Sequence, residues 1–211
     1  MENLEVLSLF FKIPELGKVK TRIAKKIGKE EALNIYQYLL KTTVKTAEEF
    51  TFFRPVKLFG FYEGDHLNQI KKFFNFKMGW RFIPQEGKTL GERLKRAGEV
   101  LLNLEFKRVV FIGSDCPLVS VEYLHEAFQR LEKYSVVIGP SQDGGYVLLG
   151  FNESFKERLF LLFDNLPFET SKLFDETVKR LSFNKFYILP QLFDIDTLED
   201  WQKYLNITNM T

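Results

Sequence analysis

A basic segment close to the amino terminus contains residue types that bind phosphate. Four cations fall within eleven residues in the run Lys12-Ile-Pro-Glu-Leu-Gly-Lys-Val-Lys-Thr-Arg22. Lys and Arg form charge-assisted bonds to phosphate oxygens, and the amides at a helix amino terminus favour anions. The predicted nucleotide contacts in this segment are Lys12, Gly17, Lys20, Thr21 and Arg22. A solvated basic turn is the alternative. No glycine stands five residues before Gly17, so the segment is not a P-loop.

Carboxylates follow strand-like segments at three further places. Asp115 comes just after the apolar segment Arg108–Ile112, where it could hold a hard cation that bridges phosphate oxygens. Asp143 begins an Asp-Gly-Gly turn, a pattern of weak specificity that also follows a strand. Asp194 and Asp196 alternate, so both would point to one side of an extended segment.

Each of these motifs has a structural alternative. Asp115 could simply shape the turn before Pro117. Thr197 and Asp200 have the spacing of a helix cap, which explains half of the last motif but leaves the two alternating aspartates unexplained. Cys116 is predicted to be a packing residue, because no histidine lies near it in sequence to activate it as a nucleophile.

Alternating strand-like and helix-like segments must position these residues. Strands are predicted at Leu4–Phe11, Val56–Tyr62, Trp80–Pro84, Arg108–Ile112, Ser135–Ile138, Tyr146–Gly150 and Phe186–Leu189. Helices are predicted at Glu30–Phe50, Asp65–Phe74, Thr89–Leu101, Ser120–Lys133, Ser154–Phe163, Ser171–Leu181 and Thr197–Leu205, with a short helical turn ending at Gly28. Thr89 and Glu92 have capping-box spacing at the start of the third helix.

This alternation predicts an α/β fold. Strand–helix–strand units favour a three-layer α/β/α sandwich with a mostly parallel central sheet. Ligands of such folds bind beyond the carboxyl ends of the strands, where the loops described above are expected to meet. No linker or internal repeat interrupts the pattern, so residues 1–211 are predicted to form a single domain.

Composition excludes several classes of protein. The formal net charge of +2 is too small to indicate a nucleic acid or an acidic membrane as the main partner. No apolar run approaches the ~18–20 residues of a membrane span, and the amino terminus lacks the basic region of a signal peptide. The single cysteine excludes an internal disulfide. We therefore expect a cytoplasmic protein, and the sequence leaves its oligomeric state open.

Five motifs in a fixed order resemble a family of small bacterial proteins with the GT-A fold. They are Lys20-Thr-Arg22, Gln85…Leu90-Gly-Glu-Arg93, Gly113-Ser-Asp-Cys-Pro117, Gly139-Pro140…Asp143-Gly-Gly-Tyr146 and Asp194-Ile-Asp-Thr197…Asp200. These proteins belong among the nucleotide-diphospho-sugar transferases and are described as proposed glycosyltransferases. They are also similar to the phospholactate guanylyltransferases and, more distantly, to the molybdenum-cofactor guanylyltransferases. The resemblance covers almost the whole chain, and the five motifs are specific only when taken together.

The resemblance implies where an activated donor would bind. Lys20 and Arg22 match the cations that hold the nucleotide phosphates and assist the transfer. Gln85, Gly91 and Arg93 match positions near the base or the ribose. A nucleotide or nucleotide-sugar donor and a small-molecule acceptor are therefore the expected partners.

The resemblance also implies a metal site and an acceptor site. Asp115 matches a ligand of Mg²⁺ or Mn²⁺, and either Asp194 or Asp196 matches the second ligand. The positions expected to face the acceptor, beside Asp143, are Gly144, Gly145 and Tyr146. The chain departs from the pattern at Phe168, near which relatives often have Trp, so the acceptor pocket is expected to have a different lining.

Two chemistries fit this set of residues. Transfer of a sugar to a hydroxyl releases nucleoside diphosphate and needs a base, for which Asp143 is the candidate. Transfer of a nucleotidyl group to a phosphorylated acceptor releases pyrophosphate and needs no base. The resemblance favours the first reaction slightly. A non-catalytic nucleotide-binding protein is a further alternative, which the separate carboxylates disfavour because a simple binder of a polyanion does better without them.

Overall fold

Seven strands form one mostly parallel sheet in the computed structural model, which describes residues 4–65 and 67–208. They are β1 (Glu5–Lys12), β2 (Lys57–Glu63), β3 (Arg81–Pro84), β4 (Arg108–Gly113), β5 (Val136–Pro140), β6 (Tyr146–Asn152) and β7 (Phe186–Ile188). Their order across the sheet is β3-β2-β1-β4-β6-β5-β7. Only β6 runs antiparallel to its neighbours in this described sheet. The prediction of an α/β fold with a mostly parallel sheet is confirmed.

Helices cover both faces of the sheet. The α-helices in the described residues are α1 (Thr21–Ile27), α2 (Lys29–Phe53), α3 (Leu90–Asn103), α4 (Val121–Arg130), α5 (Phe160–Phe163), α6 (Leu173–Leu181) and α7 (Leu198–Thr208). One apolar core joins α2 and α4 to the sheet, and a second core joins α3, α5 and α6 to its other face. Within the described residues, no helix is long and apolar enough to cross a membrane.

Strand β4 shows why the sheet needs helices on both sides. Val110 and Ile112 point into the core shared with α2 and α4, whereas Val109 and Phe111 point into the core shared with α3, α5 and α6. Side chains alternate across a strand, so an uninterrupted apolar strand buries both faces. A smaller third core packs α1 and α7 against α2. It brings the basic segment and the Asp194–Asp196 segment, which lie far apart in sequence, to the same end of the molecule.

The antiparallel strand β6 determines where the Asp-Gly-Gly turn lies. Strand β5 is parallel to β7 and pairs antiparallel with β6, so the turn after Pro140 leaves the sheet at the carboxyl edge shared by β1 and β4. The Thr89 hydroxyl accepts a bond from the Glu92 amide, which confirms the predicted cap of α3. Thr197 and Asp200 exchange side-chain bonds with each other's amides at the start of α7, as the spacing predicts.

Two predicted helices are less regular than expected. The segment predicted as a helix at 65–74 contains a 3-10 helix at Leu67–Lys72, and residue 66 lies outside the described part of the chain. The segment predicted at 154–163 contains a 3-10 helix at Glu153–Arg158 followed by the single turn α5. Short 3-10 turns are common as connectors between longer elements. Each of these two segments still places a side chain in a core, because Ile70 and Phe155 are both fully buried.

Candidate functional site

Two adjoining cavities lie at the carboxyl edge of the sheet. The larger has a volume of about 1140 Å³ and is lined by the basic segment after β1, the loop after β4, the start of α3 and the segment 163–169. The smaller has a volume of about 750 Å³ and is lined by the turn between β5 and β6 and by segment 168–171. Arg22, Asp194 and Asp196 line both, so the charged residues stand where the two cavities meet.

The Lys20 ammonium is the centre of this charged junction. Its Nζ lies 3.0 Å from Asp115 Oδ2 and 2.9 Å from Asp196 Oδ1. The Lys20 side chain is only 5% exposed, whereas the two carboxylates are 41% and 40% exposed. Burial lowers the pKa of Lys20, but the two carboxylates outweigh burial and raise that pKa above its ordinary value. Lys20 therefore stays charged and holds together two carboxylates that still face the cavity.

The backbone of the basic segment aims Lys20 inward. Lys20 has φ of 44° and ψ of 47°, the left-handed region, immediately before α1. This conformation costs a residue other than glycine about 1–2 kcal/mol, so the surroundings must hold it. Arg22, two residues later, lies 3.5 Å from Asp196 Oδ2 through Nη1 and is 72% exposed. Because the Arg22 side chain is mostly exposed, its guanidinium can move toward a ligand in the cavity at little cost in buried contacts.

Tyr36 orients the loop that contains Asp115. Its hydroxyl donates to the Lys12 carbonyl and accepts from the Lys12 amide, both at 2.8 Å, and lies 3.2 Å from Ser114 Oγ. Ser114 Oγ in turn donates to Asp115 Oδ1 at 3.1 Å. Tyr36 lies on the buried face of α2. Sequence reasoning missed it, because a tyrosine on the buried face of a helix resembles any other core aromatic.

Asp194 is held differently from Asp196. Its Oδ1 accepts a bond from Ser141 Oγ at 2.6 Å. Burial raises the pKa of Asp194, and the nearby charges of Asp143 and Asp196 raise it further, outweighing the bond from Ser141. The Ile195 amide between the two aspartates donates to the Asp115 carbonyl at 2.9 Å. The segment is therefore fastened directly to the loop after β4, and Asp196 is the aspartate that shares Lys20 with Asp115.

The Asp-Gly-Gly turn lines the smaller cavity. Asp143 Oδ1 accepts a bond from the Gly145 amide at 2.8 Å, which fixes the carboxylate within the turn. Asp143, Gly145 and Tyr146 all line the cavity. Gly144 lies outside the described cavity walls: it has φ of 89°, and a Cβ added there would be 2.1 Å from the Ser171 carbonyl oxygen. Glycine at 144 thus serves a close approach of two backbones.

The residues predicted to contact nucleotide divide into two groups. Those that line the larger cavity are Lys12, Lys20, Thr21, Arg22, Gln85 and Arg93. Gly17 and Gly91 stay outside its described walls. Gly17, with φ of 77°, turns beside Lys29, and a Cβ at Gly91 would meet the Phe168 ring at 2.7 Å. The role of Gly91 here is to let α3 approach Phe168, a residue that lines both cavities.

Two of the cavity residues already have protein partners. Gln85 Nε2 donates to the carbonyls of Phe11 and Phe61 at 3.2 and 3.0 Å, so it joins the ends of β1 and β2. Arg93 donates through Nη1 to Glu63 Oε2 at 2.7 Å and through Nε to the Gly87 carbonyl. These bonds give both side chains fixed positions in the cavity wall.

The carboxylates suit a hard divalent cation only when a ligand completes the set. Asp115 and Asp196 each place a carboxylate oxygen within 3.0 Å of Lys20 Nζ, so the two carboxylates lie side by side, and carboxylate oxygens are ligands that hard cations prefer. Among residues 4–65 and 67–208, no group of three or more His, Cys, Asp or Glu side chains could hold a metal by itself. Mg²⁺ in proteins commonly uses one or two carboxylates plus substrate phosphates and water. The residues present fit that arrangement.

Cys116 takes no part in this chemistry. Its Sγ lies 3.2 Å from the Phe193 carbonyl, and the side chain is buried among the core residues near α4. Burial raises the pKa of the Cys116 thiol to about 12. A thiol that stays protonated is a poor nucleophile, which agrees with the prediction of a packing role.

The fold and the charged carboxyl edge of the sheet define a nucleotide-diphospho-sugar transferase-like protein of the GT-A type. A family model described as "Uncharacterized protein conserved in bacteria (DUF2064)" matches residues 47–170, more than half of the chain, and the chain belongs to this family. No curated protein matches the chain.

Solved structures extend this comparison. A "putative nucleotide-diphospho-sugar transferase" from Desulfovibrio desulfuricans G20 is 29% identical, with a TM-score of 0.82 over 92% of this chain and 82% of that chain. A cytidylyltransferase from Leptospira borgpetersenii is 16% identical, with a TM-score of 0.60 over 95% and 84%. Rv0371c from Mycobacterium tuberculosis H37Rv, in complex with manganese, is 13% identical, with a TM-score of 0.53 over 95% and 98%. The last two show a shared fold.

Proposed function

We propose that the chain is a metal-dependent glycosyltransferase that uses a nucleotide-activated sugar as donor. The observation that supports this most strongly is the contact of Lys20 with both Asp115 and Asp196. It joins the basic segment and the carboxylates in one cavity, which is what binding a diphosphate together with a cation requires. The similarity to the Desulfovibrio protein supports the same class of reaction.

In this proposal the larger cavity binds the donor. Asp115 and Asp196 hold Mg²⁺ or Mn²⁺, which would neutralise charge on the donor diphosphate. Lys20 and Arg22 form charge-assisted bonds to the phosphate oxygens that remain. Arg22, being exposed and at the junction of the cavities, stabilises the charge that develops on the departing diphosphate. The manganese in the Rv0371c complex supports the choice of cation.

The smaller cavity binds the acceptor. Gly145 and Tyr146 form part of its wall, and Asp143 lies at the same turn. One oxygen of Asp143 accepts the Gly145 amide, which leaves the second oxygen to take the proton of an acceptor hydroxyl. Asp194 accepts a hydrogen bond from Ser141 Oγ at the start of this turn and so helps to hold the turn in place.

Nucleotidyl transfer is the second candidate. It is favoured by the fold shared with the Leptospira cytidylyltransferase. In that reaction an acceptor phosphate attacks the α-phosphorus of a nucleoside triphosphate. The acceptor is already ionised, so the reaction needs no base.

The released product distinguishes the two reactions. The protein, Mg²⁺ and a panel of nucleotide sugars or nucleoside triphosphates are incubated with pooled small-molecule acceptors, and the products are separated by ion-exchange chromatography. We expect nucleoside diphosphate, and we expect Asp143→Asn to slow its release by about 10²–10⁴-fold. Pyrophosphate released from a triphosphate, with Asp143→Asn nearly as active as the natural chain, would instead establish nucleotidyl transfer.

A further inference from the structure

The smaller cavity has an apolar floor. Phe10, Leu94, Phe111, Leu149 and Leu173 line it, and the first four belong to or pack against the core between the sheet and α3. Its volume of about 750 Å³ is of the size that takes a small organic molecule. Leu94, on α3, is only half-buried because part of its surface faces this space.

The charged residues around the smaller cavity are mostly acidic. One cation, Arg22, stands among four carboxylates in its described walls, those of Asp143, Glu169, Asp194 and Asp196. Arg22 lies 3.5 Å from Asp196, and a single cation leaves an excess of negative charge on these walls. An anionic ligand in this space would be repelled at short range.

The larger cavity is different, because it contains nearly all the cations. Five cations line the larger cavity but not the described walls of the smaller one: Lys12, Lys18, Lys20, Lys88 and Arg93. Seven carboxylates line the larger cavity as well, so six cations face seven carboxylates there, whereas one cation faces four carboxylates in the described walls of the smaller cavity. A phosphate group therefore finds several cations to pair with in the larger cavity and only Arg22 in the smaller one.

We propose that the acceptor is an uncharged alcohol with an apolar body, bound in the smaller cavity. This inference rests on the proposed glycosyl transfer and names its second substrate by class. The apolar part of the acceptor contacts the floor formed by Leu94, Phe111 and Leu149, and its hydroxyl faces Asp143. A phosphorylated or carboxylated acceptor is disfavoured, because its charge would lie among four carboxylates that outnumber the single cation Arg22.

The proposed glycosyl transfer forms one bond, breaks one bond and moves one proton. The acceptor oxygen forms a bond to the anomeric carbon of the donor sugar, and the bond from that carbon to the diphosphate oxygen breaks. The nucleoside diphosphate leaves with the electron pair of that bond. The hydroxyl proton passes to the Asp143 carboxylate oxygen that does not accept the Gly145 amide.

Matched small molecules test the charge preference. Ligand-observed NMR measures the dissociation constants of 2-phenylethanol, 2-phenylethyl phosphate and glycerol for the protein, with and without Mg²⁺ and a saturating nucleoside diphosphate. With the larger cavity filled, we expect the phosphate ester to bind at least about tenfold more weakly than 2-phenylethanol. Glycerol, which lacks the apolar body, is expected to be weaker than 2-phenylethanol as well. Equal or tighter binding of the phosphate ester, or no binding of 2-phenylethanol, overturns the inference.

Two substitutions locate the binding in the smaller cavity. Leu94→Ala should weaken 2-phenylethanol by about tenfold, whereas Val100→Ala, on an exposed part of the same helix, should have no effect. Glu169→Lys should reduce the discrimination against the phosphate ester, whereas the same change at exposed Glu157, on the opposite edge of the sheet, should not. Identical behaviour of each variant and its control would contradict the assignment.

The proposed function and this inference can fail separately. Absence of any nucleoside diphosphate binding contradicts the proposed function, whatever the alcohols do. Normal nucleotide binding and nucleoside diphosphate release, together with a preference for the phosphate ester, contradicts only the acceptor class. Unchanged nucleotide affinity in Leu94→Ala is the further check that the substitution leaves the larger cavity intact.

Discussion

At the amino edge of the sheet the Glu5 carboxylate is fully buried between Arg54 and Arg108, whereas at the carboxyl edge the Lys20 ammonium is buried between Asp115 and Asp196. Each edge thus has one buried ion held by two ions of opposite sign. The two clusters differ in the sign of the buried charge and in what their outer members can still reach.

The cluster around Glu5 is closed. Arg54 donates through Nη2 to Glu5 at 2.8 Å and to Glu132 at 2.9 Å, and it lies over the Phe128 ring. Its side chain is only 12% exposed. The bond to Glu5 raises the pKa of Arg54, outweighing its burial, and Glu132 raises it further. Arg54 and Arg108, the two cations that pair with Glu5, are both mostly buried, so the effect of this cluster is on stability.

The cluster around Lys20 is open. Asp115 and Asp196 each keep about two fifths of their side-chain surface exposed to the cavities, and Arg22 is mostly exposed. The buried Lys20 ammonium fixes the positions of the two carboxylates, and part of each carboxylate still faces the cavities. Both clusters have one buried ion between two ions of opposite charge. Around Glu5 the two outer ions are mostly buried and contribute to stability, whereas around Lys20 they are exposed and can take part in ligand binding.

The largest effect is expected at the closed cluster. Glu5→Gln leaves two arginines without their buried counter-ion and should lower the free energy of unfolding by about 3–5 kcal/mol. Urea denaturation measures this loss. Glu132→Gln removes the half-exposed partner of Arg54 and should cost less than about 1 kcal/mol. A loss of similar size in both variants would show that burial of Glu5 is not what matters. At temperatures where it remains folded, Glu5→Gln should keep full nucleotide affinity.

Asp115→Asn should have the opposite profile. The change leaves the core untouched and should shift the midpoint of urea denaturation little. It removes a negative charge from the proposed cation site and should slow transfer by about 10²–10³-fold. Activity at saturating Mn²⁺ and the urea midpoint are measured on the same preparation. Full activity in a variant that no longer pairs with Lys20 would move the cation site elsewhere in the larger cavity.

Lys20→Met should have opposite effects on the binding of Mn²⁺ and of nucleoside diphosphate at the open cluster. Without the ammonium, Asp115 and Asp196 no longer have an internal counter-ion, so Mn²⁺ alone should bind about tenfold more tightly. Nucleoside diphosphate should bind more weakly, by about 1.5–3 kcal/mol, because a charge-assisted bond is lost. Isothermal titration measures both affinities. Lys88→Met, at an exposed cation of the same cavity, should leave Mn²⁺ binding unchanged. Weaker Mn²⁺ binding in Lys20→Met would contradict competition for the carboxylates.

The smallest effect is expected at Tyr36, which acts through its neighbours. Tyr36→Phe removes the hydroxyl that joins the Lys12 backbone to Ser114, and should lower stability by about 1 kcal/mol. Loss of this support should also weaken Mn²⁺ binding a few-fold, which a purely structural role would not do. Tyr38→Phe on the same helix, whose hydroxyl meets only Tyr204 in the described contacts, is the matched control. Unchanged Mn²⁺ affinity in Tyr36→Phe would limit this residue to the fold.

Local patterns determined much of what is described above. Alternation of apolar segments predicted the α/β class, because strand and helix periods are set by neighbouring residues. The caps at Thr89 and at Thr197 with Asp200 also follow from short spacing. Asp115 stood out because it comes directly after an apolar strand, where ligands of parallel sheets bind.

Only the tertiary structure decided the contacts at the site. Lys20 meets Asp196 across 176 positions of sequence, and this depends on how α1 and α7 pack on α2. Likewise Gly144 and Gly91 looked like ligand contacts, yet each allows a close approach to a distant segment. The antiparallel direction of β6 and the hydrogen bonds of the Tyr36 hydroxyl could not be predicted from the sequence either. Strand order and side-chain contacts arise from interactions between distant segments, and residue periodicity reports only on near neighbours.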